Sequence, residues 1–203
     1  MPRKSAASYH HGDLRRALLA VAFDILKSKG LEALSLREVA REAGVSHQAP
    51  YHHFPSRAHL LAALAAEGFT RLGDELETVQ AATADPVQQA QETGVRYVVF
   101  ASRNPERFRL MFGAAIGSRA PYPELEDAAQ RVFALLVRPF GRPPRGPGSS
   151  FDPVVLTLWS TVHGLAALAV DGQIPLHGKA LAEAARATTE QVWLGVRDAL
   201  TAR

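Results

Sequence analysis

The sequence predicts an all-α protein, a three-helix helix-turn-helix unit followed by a larger helical domain. Three observations carry this. Apolar residues recur at helical spacing along the chain, and no alternating pattern of strand type persists. Asp85-Pro86, Asn104-Pro105 and Asp152-Pro153 each pair a capping residue with proline at a first helical position, a strong helix start. The stretch Ser35–Phe54 reads as two short helices joined by a tight turn at Gly44-Val45-Ser46.

Residues 1–8, at the N-terminus, are polar and carry Arg3 and Lys4. An arm of this kind either lies against DNA phosphate or a minor groove, or is a free tail. Asp13 is a suitable cap for a first helix to Lys29, with Leu14, Leu18, Val21, Ala22 and Ile25 as its buried stripe. Gly30 ends it. Ser35 with Glu38 three residues on forms a capping-box pattern for a second helix, and Gly44 supplies the positive φ that stops it. Ser46 is placed to cap a third helix. Its first exposed residues are then His47, Gln48, Tyr51 and His52. Pro50 near its start cannot donate a backbone hydrogen bond, which predicts a slightly irregular first turn. A long helix starts at Arg57. Further helices begin after Asp85 and Asn104, and another spans about 124–137. Gly141–Ser150 is a Gly/Pro/Ser loop. The last two helices run about 153–171 and 179–201. The chain therefore divides at 55/56, into residues 1–55 and 56–203.

Composition limits the function. The 203 residues carry a net charge of +3, unevenly spread. Residues 1–60 hold nine Lys/Arg against five Asp/Glu and six of the eight histidines, whereas the rest holds fourteen against fifteen. A positive field at the helix-turn-helix end is the footprint of a DNA binder, although a solvated basic helix surface would look similar. The absence of cysteine excludes disulfides and thiolate metal sites and suits a reducing cytoplasm. No apolar run approaches the length of a membrane span and no signal-peptide core is present, so we expect a cytoplasmic protein that does not meet a membrane. His10 and His11 lack carboxylate company, so no metal is expected there, and no cofactor anywhere. No nucleophile elbow, zincin motif or phosphate loop occurs, so we expect no enzyme.

The segment Ala40-Arg-Glu-Ala-Gly-Val-Ser46, with Tyr51, His53, Phe54 and then Pro55-Ser56-Arg57, resembles the DNA-binding domain of the tetracycline-repressor (TetR) family over residues ~10–65. Pro50 departs from that pattern, where the family more often has a bulky apolar residue. Trp159 and His163 share a helix face, with Gly164 adjacent. This Trp-x-x-x-His-Gly arrangement resembles the C-terminal domain of a subgroup of such regulators, as do Tyr9-His-His-Gly-Asp-Leu-Arg and Ser46-His-x-Ala-Pro-Tyr.

The resemblance implies a homodimeric, ligand-responsive transcriptional regulator, a repressor released from a palindromic operator by a small apolar or aromatic molecule. On that reading Gln48, His47 and His52 face base edges, and Ser46, Tyr51, Arg37 and Arg57 contact phosphate. Tyr97, Phe100, Phe108, Met111, Phe112, Trp159 and His163 line a ligand cavity. Leu165, Ala166, Leu168, Ala169, Val192, Val196 and Leu200 meet a second copy across a two-fold axis. Alternatives stand beside each. The aromatics can be plain core, with His163 hydrogen-bonded to a neighbour. One monomer's own interior can consume the last two helices. A DNA-binding architectural protein without a ligand, or an all-α enzyme, remains an alternative to the regulator.

Overall fold

The structure, a computed structural model, describes residues 11–141 and 153–201, with side chains for 14–141 and 153–196. The N-terminal arm, Tyr9 and His10, the Asp152 cap and the Leu200 contact lie outside what is described. All eight α-helices described stand where the sequence places them: α1 (His11–Lys29), α2 (Leu36–Glu42), α3 (Arg57–Ala81), α4 (Pro86–Arg103), α5 (Pro105–Phe112), α6 (Pro123–Val137), α7 (Pro153–Val170) and α8 (Gly178–Thr201). No strand occurs among the described residues.

Local chemistry accounts for the boundaries. Helix α1 begins at His11, so Asp13 stands in its first turn instead of capping it. Ser35 accepts the Glu38 amide at 3.1 Å and starts α2. The Glu38 carboxylate turns outward to Lys29 and Arg41, so only half of the capping box forms. At the end of α2, Gly44 takes φ +65°, its amide reaches Arg41 O and the Val45 amide reaches Ala40 O. This pair of bonds closes a Schellman turn, which redirects the chain sharply. Ser56 caps α3 and Asp85 Oδ1 accepts the Val87 amide to start α4.

The third helix of the head differs from expectation. Ser46 makes no cap, and the chain beyond it forms a single 3₁₀ turn, Ala49–His52. The Ala49, Tyr51 and His53 amides reach back three residues, to Ser46, Gln48 and Pro50 carbonyls. Pro50 is the cause: it has no N–H to offer the carbonyl four residues back, so the segment tightens into the three-residue repeat. Pro50 is buried and anchors the turn.

Helix α3 packs against α4, α5 and α6, and α4 packs in turn against α7 and α8. The core runs continuously from Leu18, Ala22 and Ile25 of α1 through Leu60, Leu64, Phe69 and Leu76 of α3 to Tyr97 and Phe100 of α4. Helix α7 corrects one expectation. Its 18 residues have mean hydropathy 1.6 and are long and apolar enough to cross a membrane. Only part of that apolar surface is covered: Leu156 and Leu168 are 47 % and 46 % exposed, and Leu194 of α8 is 48 % exposed.

Candidate nucleic-acid interface and aromatic cluster

The head presents a polar, exposed edge on a fixed frame. Ser46, His47, Gln48, Tyr51 and His52 are exposed, and Arg37 is exposed on α2. Beneath them Pro50 and Phe54 are buried, and the Phe54 amide bonds to Pro50 O at 2.8 Å. Half-buried His53 is tilted against the Phe54 ring, so it belongs to the frame. An ionic cluster flanks the edge. Lys29 Nζ reaches Glu38 and Glu42, both at 2.8 Å, and Arg41 reaches the same two carboxylates at 2.7 and 2.6 Å. Arg41 and Lys29 hold the Glu38 carboxyl down to about 2.

Arg57, exposed at the start of α3, also bonds within the chain. Its Nε donates to Leu34 O and its Nη2 to Leu31 O, both at 2.7 Å. The planar fork thus ties the first turn of α3 to the loop before α2. A second tie runs from Arg15 of α1 to Glu124 of α6 at 2.8 Å. It borders a cleft of about 260 Å³ between the head and α6.

The second domain gathers its aromatics around His163. The Tyr97 hydroxyl and His163 Nδ1 share a 2.9 Å hydrogen bond. Phe108 and Phe112 lie 4.9 Å apart, and their centroids stand 5.3 and 4.7 Å from the imidazole. Trp159 stands 6.0 Å from the same imidazole and 5.7 Å from the Phe133 ring. Met111 and Phe100 are buried beside this set, in the α5 and α4 contributions to the core. Trp159 also lines a small cavity of about 30 Å³ with Phe140, Leu158, Val162, Thr93 and Thr189. That is room for about one water, so a larger guest must push side chains apart.

Burial pushes the His163 imidazole below its ordinary value and raises the Tyr97 phenol. A base whose folded-state value is depressed contributes stability that is complete above its unfolded value of 6.5 and is lost as pH falls below it. Thermal midpoints measured from pH 7.5 down to 5 should therefore fall on the acid side, and His163→Gln should flatten part of that slope. An unchanged slope in the variant would show that another group controls the acid limb.

Of the apolar residues expected at a dimer contact, Leu168 is exposed and Leu165 and Ala169 are half-buried. Ala166 is fully buried and Val196 nearly so, and both fill the monomer's own interior. Val192 lines the small cavity. Sequence reasoning missed Leu156 and Leu194, and also the contacts of Arg107 and Arg109. A charged residue on an amphipathic helix reads as a solvated face, and nothing local signals otherwise.

A rigid turn displaying polar side chains on a helical bundle with an aromatic interior defines the architecture of a helix-turn-helix regulator. The pattern of bacterial regulatory proteins of the tetR family matches residues 18–64, and that of the tetracyclin repressor-like C-terminal domain matches residues 90–192. The chain belongs to the TetR family of regulatory proteins. It is 33 % identical over 113 residues to the HTH-type transcriptional regulator Rv1816 of Mycobacterium tuberculosis, a match covering 53 % of this chain and 47 % of that one. The chain thus spans about half the length of the curated relatives it matches. A Rhodococcus sp. RHA1 protein of unknown function superposes with TM-score 0.77 at 35 % identity, over 94 % of this chain and 98 % of that one. FadR of Bacillus subtilis, solved with stearoyl-CoA, shares the fold at TM-score 0.67 and 11 % identity, over 87 % and 96 %.

Proposed function

We propose that this chain is a homodimeric, ligand-responsive transcriptional repressor that leaves a two-fold symmetric operator when a small apolar or aromatic molecule binds. Residues 1–55 are its reading head, and residues 56–203 sense the ligand and dimerise. The observation that carries the reading is the exposed row His47, Gln48, Tyr51, His52 on a turn held by buried Pro50 and Phe54. Gln48, His47 and His52 face base edges, while Ser46, Tyr51, Arg37 and Arg57 hold phosphate. The exposed leucines of α7 and α8 supply the surface for a second copy, and they give the apolar length of α7 a use that needs no membrane. Effector recognition falls to Tyr97, Phe108, Phe112, Trp159 and His163, an apolar lining with one hydrogen-bonding pair.

Selection of bound duplexes from a random pool tests this. The expected winners contain an inverted repeat with half-sites about one helical turn, or a multiple, apart. Gln48→Ala should shift the preferred bases by about 1–3 kcal/mol per affected pair. Binding that ignores sequence, with no inverted repeat, would leave the architectural reading in its place.

A further inference from the structure

The head meets the second domain at two places. At one, the Arg107 guanidinium of α5 stacks on Phe23 of α1, its central carbon 3.8 Å from the ring centroid, and Arg109 pins the same helix to Val170 O at 2.6 Å. At the other, between the head and α6, the junction stays open as the cleft of about 260 Å³. Pockets that take a small organic molecule begin at about 300 Å³, so the cleft is close to that size. None of the rings gathered around His163 lines it.

The lining is divided by chemistry. Buried Phe54, Ala62 and Leu125, with half-buried Ala63, make an apolar floor, and the two alanines of α3 are what leave the room. His59 and Tyr122 stand at the mouth as perpendicular rings, their centroids 5.2 Å apart. Arg15, His59 and Tyr122 bring N–H and O–H groups to this mouth. Ser56 Oγ holds His59 through Nδ1 at 2.9 Å, which leaves Nε2 as the second hydrogen-bonding atom of the imidazole. The Arg15 guanidinium lies 5.6 Å from the Phe54 centroid. The anionic group in the lining is the Glu124 carboxylate, which takes one N–H of Arg15 at 2.8 Å. Arg15 is half-exposed and Glu124 exposed, and a single-point pair in water holds its partners weakly. A guanidinium gains more from a carboxylate that meets two of its N–H groups side by side.

We propose that this cleft is a binding site for a small planar aromatic carboxylate. The ring lies on the floor of Phe54, Ala62, Ala63 and Leu125 and packs against Tyr122 and His59. The carboxylate takes Arg15 as a bidentate pair, and Glu124 turns out into water. A neutral ring forgoes the pair with Arg15, and a bare anion such as phosphate leaves the apolar floor uncovered. Arg15 and Phe54 belong to the head, Tyr122 and Leu125 to the second domain, so the occupant spans the junction. The inference stands apart from the regulator reading, and its test needs neither DNA nor an occupant of the aromatic cluster.

Calorimetric titration of the full chain with naphthoate tests it. The neutral analogue naphthamide should bind about tenfold more weakly, and inorganic phosphate should not compete. Arg15→Gln should weaken naphthoate by about 10–100-fold, the scale of a lost charged hydrogen-bonded pair, and leave naphthamide nearly unchanged. Glu124→Gln removes the competing carboxylate and should tighten naphthoate severalfold. Ala63→Leu fills the cleft and should abolish binding of both compounds, with circular dichroism checking that the helices remain. If that variant loses its fold, the Arg15 and Glu124 variants decide alone, since both change side chains outside the core. Absence of naphthoate binding at millimolar concentration would overturn the proposal. So would binding that Arg15→Gln and Glu124→Gln both leave unaltered, because the molecule then sits elsewhere.

Discussion

Leu168→Glu is expected to split the proposed dimer and, with it, operator binding. Leu168 projects from α7 with nearly half its surface uncovered. At a two-fold interface one substitution acts twice, because each copy presents the same patch to the other. Two carboxylates would then be withdrawn from water without partners, a cost of several kcal/mol on the order known for uncompensated buried charge. The monomer itself loses little, since the side chain is not part of its core. Light scattering at micromolar concentration should change from dimer to monomer while helical circular dichroism stays constant. Operator affinity should fall by about 100-fold or more, because each half-site then binds alone. A variant that stays dimeric would place the interface elsewhere.

Gly94→Ala should destabilise the folded chain although alanine is the better helix former. Gly94 lies on α4 where α8 crosses it, and a Cβ there would stand 2.4 Å from Thr189 Oγ1 and 3.2 Å from its Cγ2. Thr189 cannot easily turn away. It is branched at Cβ, buried, and bonded through Oγ1 to Ala185 O at 2.8 Å. The overlap costs about 1–3 kcal/mol, enough to outweigh the helix-propensity gain of up to about 1 kcal/mol. Thr189→Ala in the same chain removes the two shortest contacts and should restore much of the loss. Chemical denaturation of the two single variants and the double variant measures this as a coupling energy.

What the sequence made legible was the chemistry that acts over a few residues. Ser35 and Asp85 cap their helices within three residues, and Gly30 and Gly44 end theirs with a positive φ. These are one-turn interactions, so a linear reading contains both partners. Pro50 was half legible. Its missing donor was visible, but conversion of the whole turn to a 3₁₀ repeat depends on how Phe54 and Pro50 seat in the core. The intramolecular bonds of Arg57 were not legible. Its partners, the carbonyls of Leu31 and Leu34, lie more than twenty residues away, and only the folded chain brings them to its guanidinium. Arg107 obeys the same rule, since Phe23 stands 84 positions earlier along the chain. The gathering of Tyr97, Phe108, Phe112, Trp159 and His163 was anticipated as a set, whereas the hydrogen bond that joins two of them was open among several partners.

The ionic cluster beside the reading edge has a consequence for where this head can work. Lys29 and Arg41 neutralise Glu38 and Glu42, leaving the four charges close to balance. Each phosphate neutralised on duplex DNA releases about 0.9 of a condensed counterion, and that release sets how steeply affinity falls with salt. Lys29 and Arg41 therefore add little to that release. The steepness of the salt response falls to the cations outside the cluster, among them Arg37, exposed on the same helix as Arg41.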